Sequence, residues 1–527
     1  MLKYGSSVVA VGLLLAACSG FGSEDEENRP PAPTPEDNAK PPPEVEGKPI
    51  EGIYVSASQG RPDATGFPGS PLKTIAAGLL RAKEKNLRLI VCAEEYLENV
   101  EVIDGVSAYG YYDCSAALWK RGNKHATIRA PQSPALLARD LKVATRFEGF
   151  DIIAPDLEKT TAVDREGSSV GVDARNIGAG IFFISDSILH GGKGAAGADG
   201  APAVAPTASG TARGTDGIGA SFASCPNQML MNCTNPLLQG VPGPSISCGD
   251  TEPAPGPGGA GGDGMWLLDG EPSPNIATNL FGRPIPTTPL ASQFGTPCSG
   301  QVADTCAKGV RGVDGGAGKN GANGTWKFDA NGLVLGNGTR GLSGAPGQGG
   351  QGGGSARRWW EPGVGYSVPP ANIKWARTPR GGSGGSGGCG GLAGGAGGGG
   401  GASIGLLAID AVVTLERDLV ESSNGGRAGA GTFGGVGKVG GAGGTGGDGV
   451  AGIGGDGGSG GRGGASGHGA AGPSIALVFK GARPNVAPGV ELRQGLGGEG
   501  RNGLFEPPNI IETSPIGASL AELEIQP

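Results

Sequence analysis

The chain contains few aromatic residues and lacks the compact motifs that often carry enzyme chemistry. Aromatics make up 5% and hydrophobic residues 37% of its 527 residues, which is low for a compact α/β enzyme of this size. No H-E-x-x-H motif or phosphate-binding P-loop occurs. The net charge is −8 without any run of lysine or arginine, so electrostatics gives no support for nucleic acid binding. Zinc is disfavoured, because the chain has no C-x-x-C pair and only three histidines, His125, His190 and His468.

Glycine is the residue in excess, and its spacing is regular. From Gly431 to Gly467 every third residue is glycine, with no proline and no break in phase. Shorter tracts at 191–200, 309–324, 338–353 and 382–400 keep the same period. An extended helix with three residues per turn then carries only hydrogen atoms on one face, so several helices can approach and hydrogen-bond to one another. The tracts are therefore predicted to be packed helices. Collagen is disfavoured, because the longest tract lacks proline.

The N-terminus predicts export. Residues 1–17 have a positive Lys3 followed by a short apolar segment, which is typical of a signal peptide and too short for a stable transmembrane helix. Residues 15–18 (Leu-Ala-Ala-Cys) resemble the bacterial lipobox, which implies that Cys18 becomes the first mature residue and carries the lipid. An ordinary signal peptide that happens to contain a cysteine is the alternative.

A tether is predicted over residues 18–49. It contains an acidic cluster at Glu24–Glu27 and seven prolines between Pro30 and Pro43, and nothing in it can bury apolar area. Such a segment is an extended, semi-rigid spacer of about 3.1 Å per residue. Ser19 is not the aspartate that retains many lipoproteins in the inner membrane. This favours the bacterial outer membrane, on its periplasmic face or at the cell surface.

Eight cysteines remain besides Cys18, and an even number in an exported protein indicates disulfides. These cysteines are Cys92, Cys114, Cys225, Cys233, Cys248, Cys298, Cys306 and Cys389. Closeness in sequence favours the pairs Cys92–Cys114 and Cys298–Cys306, while the connectivity of the others stays open.

The beginning of the folded region carries a strand, a loop and an amphipathic helix. Residues 54–56 (Tyr-Val-Ser) end the strand, and residues 71–75 (Pro-Leu-Lys-Thr-Ile) open a helix predicted over 72–85, with Ser70 as its cap. This arrangement resembles the N-terminal cap of right-handed parallel β-helix proteins of the pectin-lyase-like group. The resemblance implies a fold and not an activity. Short β-branched segments follow at close spacing, among them 126–129 and 150–153, as expected for the rungs of a coil.

Pairs of strands then alternate with glycine-rich excursions. The predicted fold class is all-β: a right-handed parallel β-helix with one N-terminal capping helix and Gly-x-x insertions of polyglycine or polyproline-II type. The predicted divisions are the cap and first rungs at 50–190, a large Gly/Pro/Cys-rich insertion at 191–403, a rung at 404–426, a Gly-x-x insertion at 427–472, the last rungs at 473–505 and a tail at 506–527. The alternation resembles glycine-rich surface proteins and lipoproteins of myxobacteria and, more loosely, the PGRS proteins of mycobacteria. Their molecular functions are mostly unknown.

Calcium is one hypothesis for a site. Residues 258–266 and 443–451 match the nonapeptide G-G-x-G-x-D-x-U-x, with Asp263 and Asp448 as the ligands. Calcium β-rolls share each ion between successive copies, and neither match repeats in tandem. We therefore assign no cofactor, and calcium remains a minor alternative.

Carbohydrate chemistry is the other hypothesis. Asp151, Asp173 and Asp186, with Arg175 as a base, are the residues that a polysaccharide lyase could use on the exposed face of a coil, although solvated charges explain them more simply. Five tryptophans lie in the large insertion, where they either anchor loops or stack on sugar rings. They are Trp266, Trp326, Trp359, Trp360 and Trp375.

These observations together predict a cell-envelope lipoprotein with a structural, adhesive or surface-display role and no catalysis. Its expected partners are the membrane, through the N-terminal lipid, and an extracellular polysaccharide or another envelope protein, but not nucleic acid. The alternative is a carbohydrate-active enzyme or glycan-binding protein, similar to a polysaccharide lyase, that uses the groove of the coil.

Overall fold

A computed structural model describes most of the folded region. It covers residues 40, 50–115, 119–158, 167–205, 212–217, 221–223, 243–248, 258–259, 266–268, 308–329, 332–354, 375–377, 380–447, 451–507 and 509–526. The described chain is all-β with parallel sheets and one helix, α1 (Ile75–Lys85). Within these ranges, no helix combines the length and the apolar character needed to cross a membrane.

Three parallel ladders of strands form the framework. Ladder A contains β4 (Val100–Glu101), β8 (Leu136–Arg139), the first part of β11 (Ser169–Ser185), the first part of β18 (Ser403–Glu416), β20 (Ser474–Lys480) and β25 (Ser519–Ile525). Ladder B contains β1 (Ile53–Val55), β2 (Leu89–Cys92), β5 (Ala108–Asp113), β9 (Thr145–Glu148), the second parts of β11 and β18, and β21 (Asn485–Val486). Ladder C contains β3 (Glu95–Tyr96), β7 (Ala126–Arg129), β10 (Phe150–Ile153), β12 (Ile188–Gly191), β19 (Leu419–Ser422) and β22 (Glu491–Arg493).

Other strands pair antiparallel at the margins. They are β6 (Lys120–Arg121) on β5; β13 (Ser221–Ala223) and β14 (Trp266–Leu268) on either side of β17 (Trp375–Arg377); the hairpin of β15 (Lys327–Asp329) and β16 (Gly332–Val334); and the hairpin of β23 (Leu504–Glu506) and β24 (Asn509–Ile511). From β8 onward, the framework strands follow the order A, B, C four times. Strand β25, inside the segment predicted as a tail, then extends ladder A.

Left-handed residues turn the chain at the corner between ladders A and B. Asp140, Asn176, Asp410 and Gly481 each follow a ladder A strand at the same register, and all four have positive φ. Glycine has no Cβ to clash in this conformation, and Asp and Asn tolerate it better than other residues. The stacked corners therefore repeat one turn from rung to rung.

The strands bury alternate side chains in two cores. In β18, Leu406 and Ala408 belong to the main core between the ladders, whereas Leu407 and Ile409 face the opposite side. That opposite side of ladder A is covered by the β15–β16 hairpin, with Leu333 buried and Trp326 packed against it. Because one rung cannot bury both faces alone, stacking provides the core.

The helix begins later than the sequence predicts. Ser70 and Pro71 do not cap it, because Leu72 pairs with Tyr54 and Val55 through the backbone. Thr74 is the N-cap instead, and its hydroxyl accepts a hydrogen bond from the Ala77 amide at 3.2 Å. The Glu98 carboxylate accepts the next free amides, those of Ile75 (2.7 Å) and Ala76 (3.1 Å).

The glycine-rich excursions all leave the framework at one junction, between a ladder C strand and the next ladder A strand. A column of serines closes this junction. Ser169, Ser403, Ser474 and Ser519 occupy one register on ladder A. Each hydroxyl donates to a carbonyl of the departing chain; the acceptors are Pro155, Gly191, Ser423 and Gly495, at 2.5–3.1 Å. The start and the end of each excursion are thereby held together.

Replacing Ser403 by alanine is expected to destabilise the protein by about 1–2 kcal/mol, because its fully buried hydroxyl bonds the Gly191 carbonyl. The matched change Ser519→Ala removes the same bond at an exposed position and is expected to cost less than about 0.5 kcal/mol. Urea denaturation of both variants measures the difference. Equal losses of stability would show that burial of the Ser403 hydroxyl does not strengthen its contribution.

Candidate functional site

Seven glycine-rich segments lie beside the ladders and form the bundle. They are segment I (191–205), segment II (308–324), segment III (336–354), segment IV (380–402), segment V (424–447), segment VI (451–473) and segment VII (495–503). Segments I, V and VII continue directly from ladder C strands, whereas segments IV and VI lead directly into ladder A strands. The framework therefore sets where each segment enters the bundle.

Backbone hydrogen bonds join the segments with a period of three residues. Segment V donates to segment IV at every third residue, from Gly426 to the Gly401 carbonyl through Gly447 to the Arg380 carbonyl, at 2.7–3.0 Å. Segment IV donates in the same way to segment VI, which donates to segments III and V and accepts from segment II. The predicted packing of the tracts is thus present in these segments. Their amides find partners in neighbours rather than within the segment.

Glycine is required here for close approach. A Cβ built on Gly391 would lie 1.9 Å from the Gly435 carbonyl oxygen, and one on Gly464 would lie 2.0 Å from the Lys319 carbonyl oxygen. No glycine of the seven segments, as far as they are described, has a positive φ. The close approach of neighbouring backbones, and not an unusual backbone conformation, therefore explains why glycine recurs at every third residue.

Polar side chains complete the hydrogen bonding at positions where glycine is absent. Asp314, Asn320 and Asn323 of segment II accept the amides of Ser459, Ala465 and His468 in segment VI at 2.7–2.9 Å. The Ser466 hydroxyl accepts from the Gly341 amide (2.9 Å) and donates to the Gly394 carbonyl (2.6 Å), so it bridges segments III and IV. These residues have structural partners and are not free ligands.

The remaining side chains form exposed rows on opposite sides of the bundle. One row on segment V includes Val436, Val439 and Ala442, and the face of segments II and III carries Val310, Val313 and Leu342. Members of one segment repeat every third residue, which would space them about 9 Å apart in a helix of polyproline-II type. Segments IV and VI lie between the two sides. The bundle therefore presents regular surfaces.

His468 is buried where four segments meet. Its Nδ1 accepts the Gly431 amide at 2.9 Å, and its Nε2 lies 3.0 Å from the Asn502 carbonyl, so the neutral ring carries its proton on Nε2. Burial lowers the pKa of His468, while the carbonyl bond of Asn502 raises it. Arg501 acts to lower it and Asp199 to raise it. Protonation of Nδ1 would place its N–H group opposite the Gly431 N–H group, and the hydrogen bond between them would be lost.

Acidification is therefore expected to lower the free energy of unfolding through protonation of His468. A histidine whose folded pKa is depressed stabilises fully above its unfolded pKa of about 6.5, and this stability is lost as pH falls below that value, at up to about 1.4 kcal/mol per pH unit. The measurement is the free energy of unfolding between pH 7.5 and 5 for wild type and His468→Gln. Because bonding to Asp151 raises the pKa of His125, with the opposite pH dependence, His125→Gln is the control. An unchanged pH slope in His468→Gln would contradict this role.

The residues considered for lyase chemistry are paired in different places. Arg175 forms a two-point ion pair with Asp173 on ladder A, at 2.8 and 2.9 Å. His125 lies 2.8 Å from Asp151 on ladder C, and Arg417 pairs with Asp186 at the corner between ladders B and C. Asp151, through its hydrogen bond, and Asp186, through its charge, both raise the pKa of His125, whereas Asp173 and Arg175 lie on ladder A.

A second polar cluster was not evident from sequence. Arg146 donates to Glu416 at 2.9 Å and lies 3.8 Å from the buried Glu148, which also accepts from Arg121 and Tyr111. Burial raises the pKa of nearby Asp418 to about 7, although its carboxylate accepts the amides of Ser187 and Glu416. Strand register places Glu148 and Glu416 on either side of Ser185, so only knowledge of the pairing could have found this cluster.

The cysteines that are described form two disulfides. The predicted Cys92–Cys114 pair is present, and Cys248 bonds to Cys389 in the centre of the bundle. Among the described residues, Cys92, Glu94 and Cys114 are the one group with the spacing of a metal site, but the disulfide removes the thiolates that a metal would need.

Several predicted residues fall outside the described ranges. They are Cys18, Cys225, Cys233, Cys298, Cys306, Asp263, Asp448, Trp359 and Trp360. Trp326 packs edge-on against Phe328, with ring centres 6.0 Å apart, as expected of an anchor. The backbones of Trp266 and Trp375 lie in β14 and β17.

Comparison with protein-family models, with curated proteins and with solved structures finds no match to the chain.

Proposed function

We propose that the protein is a lipid-anchored cell-envelope protein whose bundle displays a regular surface for adhesion or assembly. In this proposal the three ladders are the faces of a right-handed parallel β-helix, and the segments are helices of polyglycine type. The observation that supports it is that backbone atoms form most of the interior of the bundle, while exposed side chains lie in rows at its surface. Glycine faces and backbone bonds supply the interior, so Val436, Lys438 and Val439 of segment V are exposed at the surface.

The rigid surface fits a repetitive partner better than a small substrate. Val436 and Val439 are exposed and one helical turn apart, and the segments beneath them are hydrogen-bonded on several sides. A partner with repeated units, such as an extracellular polysaccharide or an ordered envelope protein, can contact such a row at several points without ordering flexible loops. No further function is proposed for the separated lyase candidates.

Anchoring is tested first. The wild-type gene is expressed in a lipoprotein-processing bacterium beside Cys18→Ser and the matched variant Ser19→Ala. Lipidation predicts incorporation of labelled palmitate and partition into the detergent phase for wild type and Ser19→Ala, with loss of both in Cys18→Ser. Equal behaviour of the wild type and both variants would refute lipid anchoring at Cys18.

Display is tested separately on the exposed row. Val436→Glu/Val439→Glu is expected to reduce binding of the purified protein to extracellular polysaccharide and to delipidated envelope protein of the source cells by tenfold or more. Val310→Glu/Val313→Glu, on the opposite side, is the matched control. Wild-type protein that binds neither fraction, or equal loss in both variants, would contradict a role for the segment V row.

A further inference from the structure

Segments II and III form a face that mixes cations with aliphatic side chains. Val310, Val313 and Leu342 are 61%, 62% and 60% exposed. Lys319 and Arg340 belong to the same two segments and are also exposed. Single exposed aliphatic residues are ordinary on proteins, but three on one regular face beside cations need an explanation.

Backbone pairing places Val310, Val313, Lys319 and Leu342 on the same face. Leu342 donates its amide to the Lys319 carbonyl, and the amide of Gln348 bonds to the Val313 carbonyl. Thr339 and Gln351 turn their side chains to the free amides of Ala322 (2.7 Å) and Val310 (3.3 Å). The polar side chains thus satisfy the backbone, while the aliphatic and cationic side chains remain in solvent.

The local charge is opposite to that of the whole chain. Residues 308–354 contain five cations and two carboxylates, a net charge of +3, in a protein of net charge −8. Arg311 is paired with Asp314 at 2.6 Å. Lys308, Lys319 and Arg340 have no carboxylate partner among the described residues. The face is therefore expected to attract anions, although the chain as a whole carries a negative charge.

We propose that this face docks on an anionic lipid surface. Lysine and arginine interact with lipid phosphates, and aliphatic side chains between them enter the boundary between headgroups and acyl chains. A soluble acidic polymer would use the cations but would gain little from Val310, Val313 and Leu342. The proposal deepens the proposed function, because a protein tethered by a lipid and a long spacer would use this face to lie against its membrane and turn the segment V row outward.

The test uses residues 19–527, which include every described residue, prepared with the disulfides formed and without lipid. Co-sedimentation is measured with vesicles of phosphatidylcholine alone and with equal parts of phosphatidylglycerol. Binding to the anionic vesicles only, weakened by salt, is expected. Lys319→Glu should lower the partition coefficient at least fivefold. Lys438→Glu is the matched control, because this exposed lysine also follows a tract glycine but lies on segment V.

Three results would overturn the proposal. The first is that wild-type protein does not sediment with anionic vesicles, and the second is equal loss in Lys319→Glu and Lys438→Glu. The third is that Val313→Ser binds vesicles as wild type does while soluble dextran sulfate competes fully, which would identify an acidic-polymer site. Since the fragment carries no lipid, failure of the lipid anchor at Cys18 leaves this test unaffected.

Discussion

Gly315→Ala is expected to destabilise the bundle by about 2–4 kcal/mol, whereas Gly316→Ala, one residue further on, is expected to leave stability unchanged or raise it by about 0.5 kcal/mol. A Cβ at Gly315 would lie 1.9 Å from the Ala345 carbonyl oxygen and 2.8 Å from the Gly461 amide, so segment II must move away from two neighbours. A Cβ at Gly316 meets nothing within 4 Å. Thermal unfolding followed by circular dichroism compares the two.

The two glycines are a closely matched pair, because they are adjacent in one tract and both are replaced by alanine. A general dependence on backbone flexibility would affect them alike, since both lose the same conformational freedom in the unfolded chain. Losses of similar size in both variants would therefore contradict the packing of segment II described above.

The second large effect is expected from the Cys248–Cys389 disulfide. The bond closes a loop with a sequence separation of 141, and Cys389 is fully buried in segment IV. Chain entropy alone predicts a loss of about 5 kcal/mol when both cysteines become alanine. The cysteines lie far apart in sequence, so the reduced chain must search widely to re-form the contact.

The matched control is the double alanine variant of Cys92 and Cys114, where the separation is 22 and the expected loss is about 3 kcal/mol. Denaturant unfolding, with proteolysis of segments IV and V as a local readout, measures both. The Cys248/Cys389 variant should open the bundle while the ladders remain protected. A smaller effect than in the control would indicate that the bundle holds together without this disulfide.

Local patterns in the sequence predicted much of the framework. The strands expected at 126–129 and 150–153 have these bounds in the structure, because each is a short β-branched segment between turn residues. The predicted start of the helix was wrong by three residues. Ser70 and Pro71 are typical of a helix start, but Leu72 forms backbone hydrogen bonds with the first strand instead of entering the helix. Local propensity cannot weigh such a tertiary contact.

The arrangement of the bundle was beyond sequence reasoning. The phase of glycine identified which positions face a neighbour, but any Gly-x-x tract is compatible with any other, so the partners of segment IV could not be chosen. The Cys248–Cys389 pair follows from that choice of partners. His468 had no tract-specific signal either. It interrupts a glycine pattern as a surface residue would, yet it is buried because Gly431 and Asn502 supply its hydrogen bonds.

Amide hydrogen exchange at single-residue resolution tests the central claim that the glycine tracts are hydrogen-bonded segments packed in phase. In segment II, Gly312, Gly315, Gly318 and Gly321 donate to segment VI, whereas Val313, Gly316 and Lys319 have no recorded acceptor among the described residues. Slow exchange at the first set and fast exchange at the second, repeating every third residue, is the predicted result. Uniformly fast exchange across 309–324, with protection confined to the ladders, would contradict the bundle and the display function built on it.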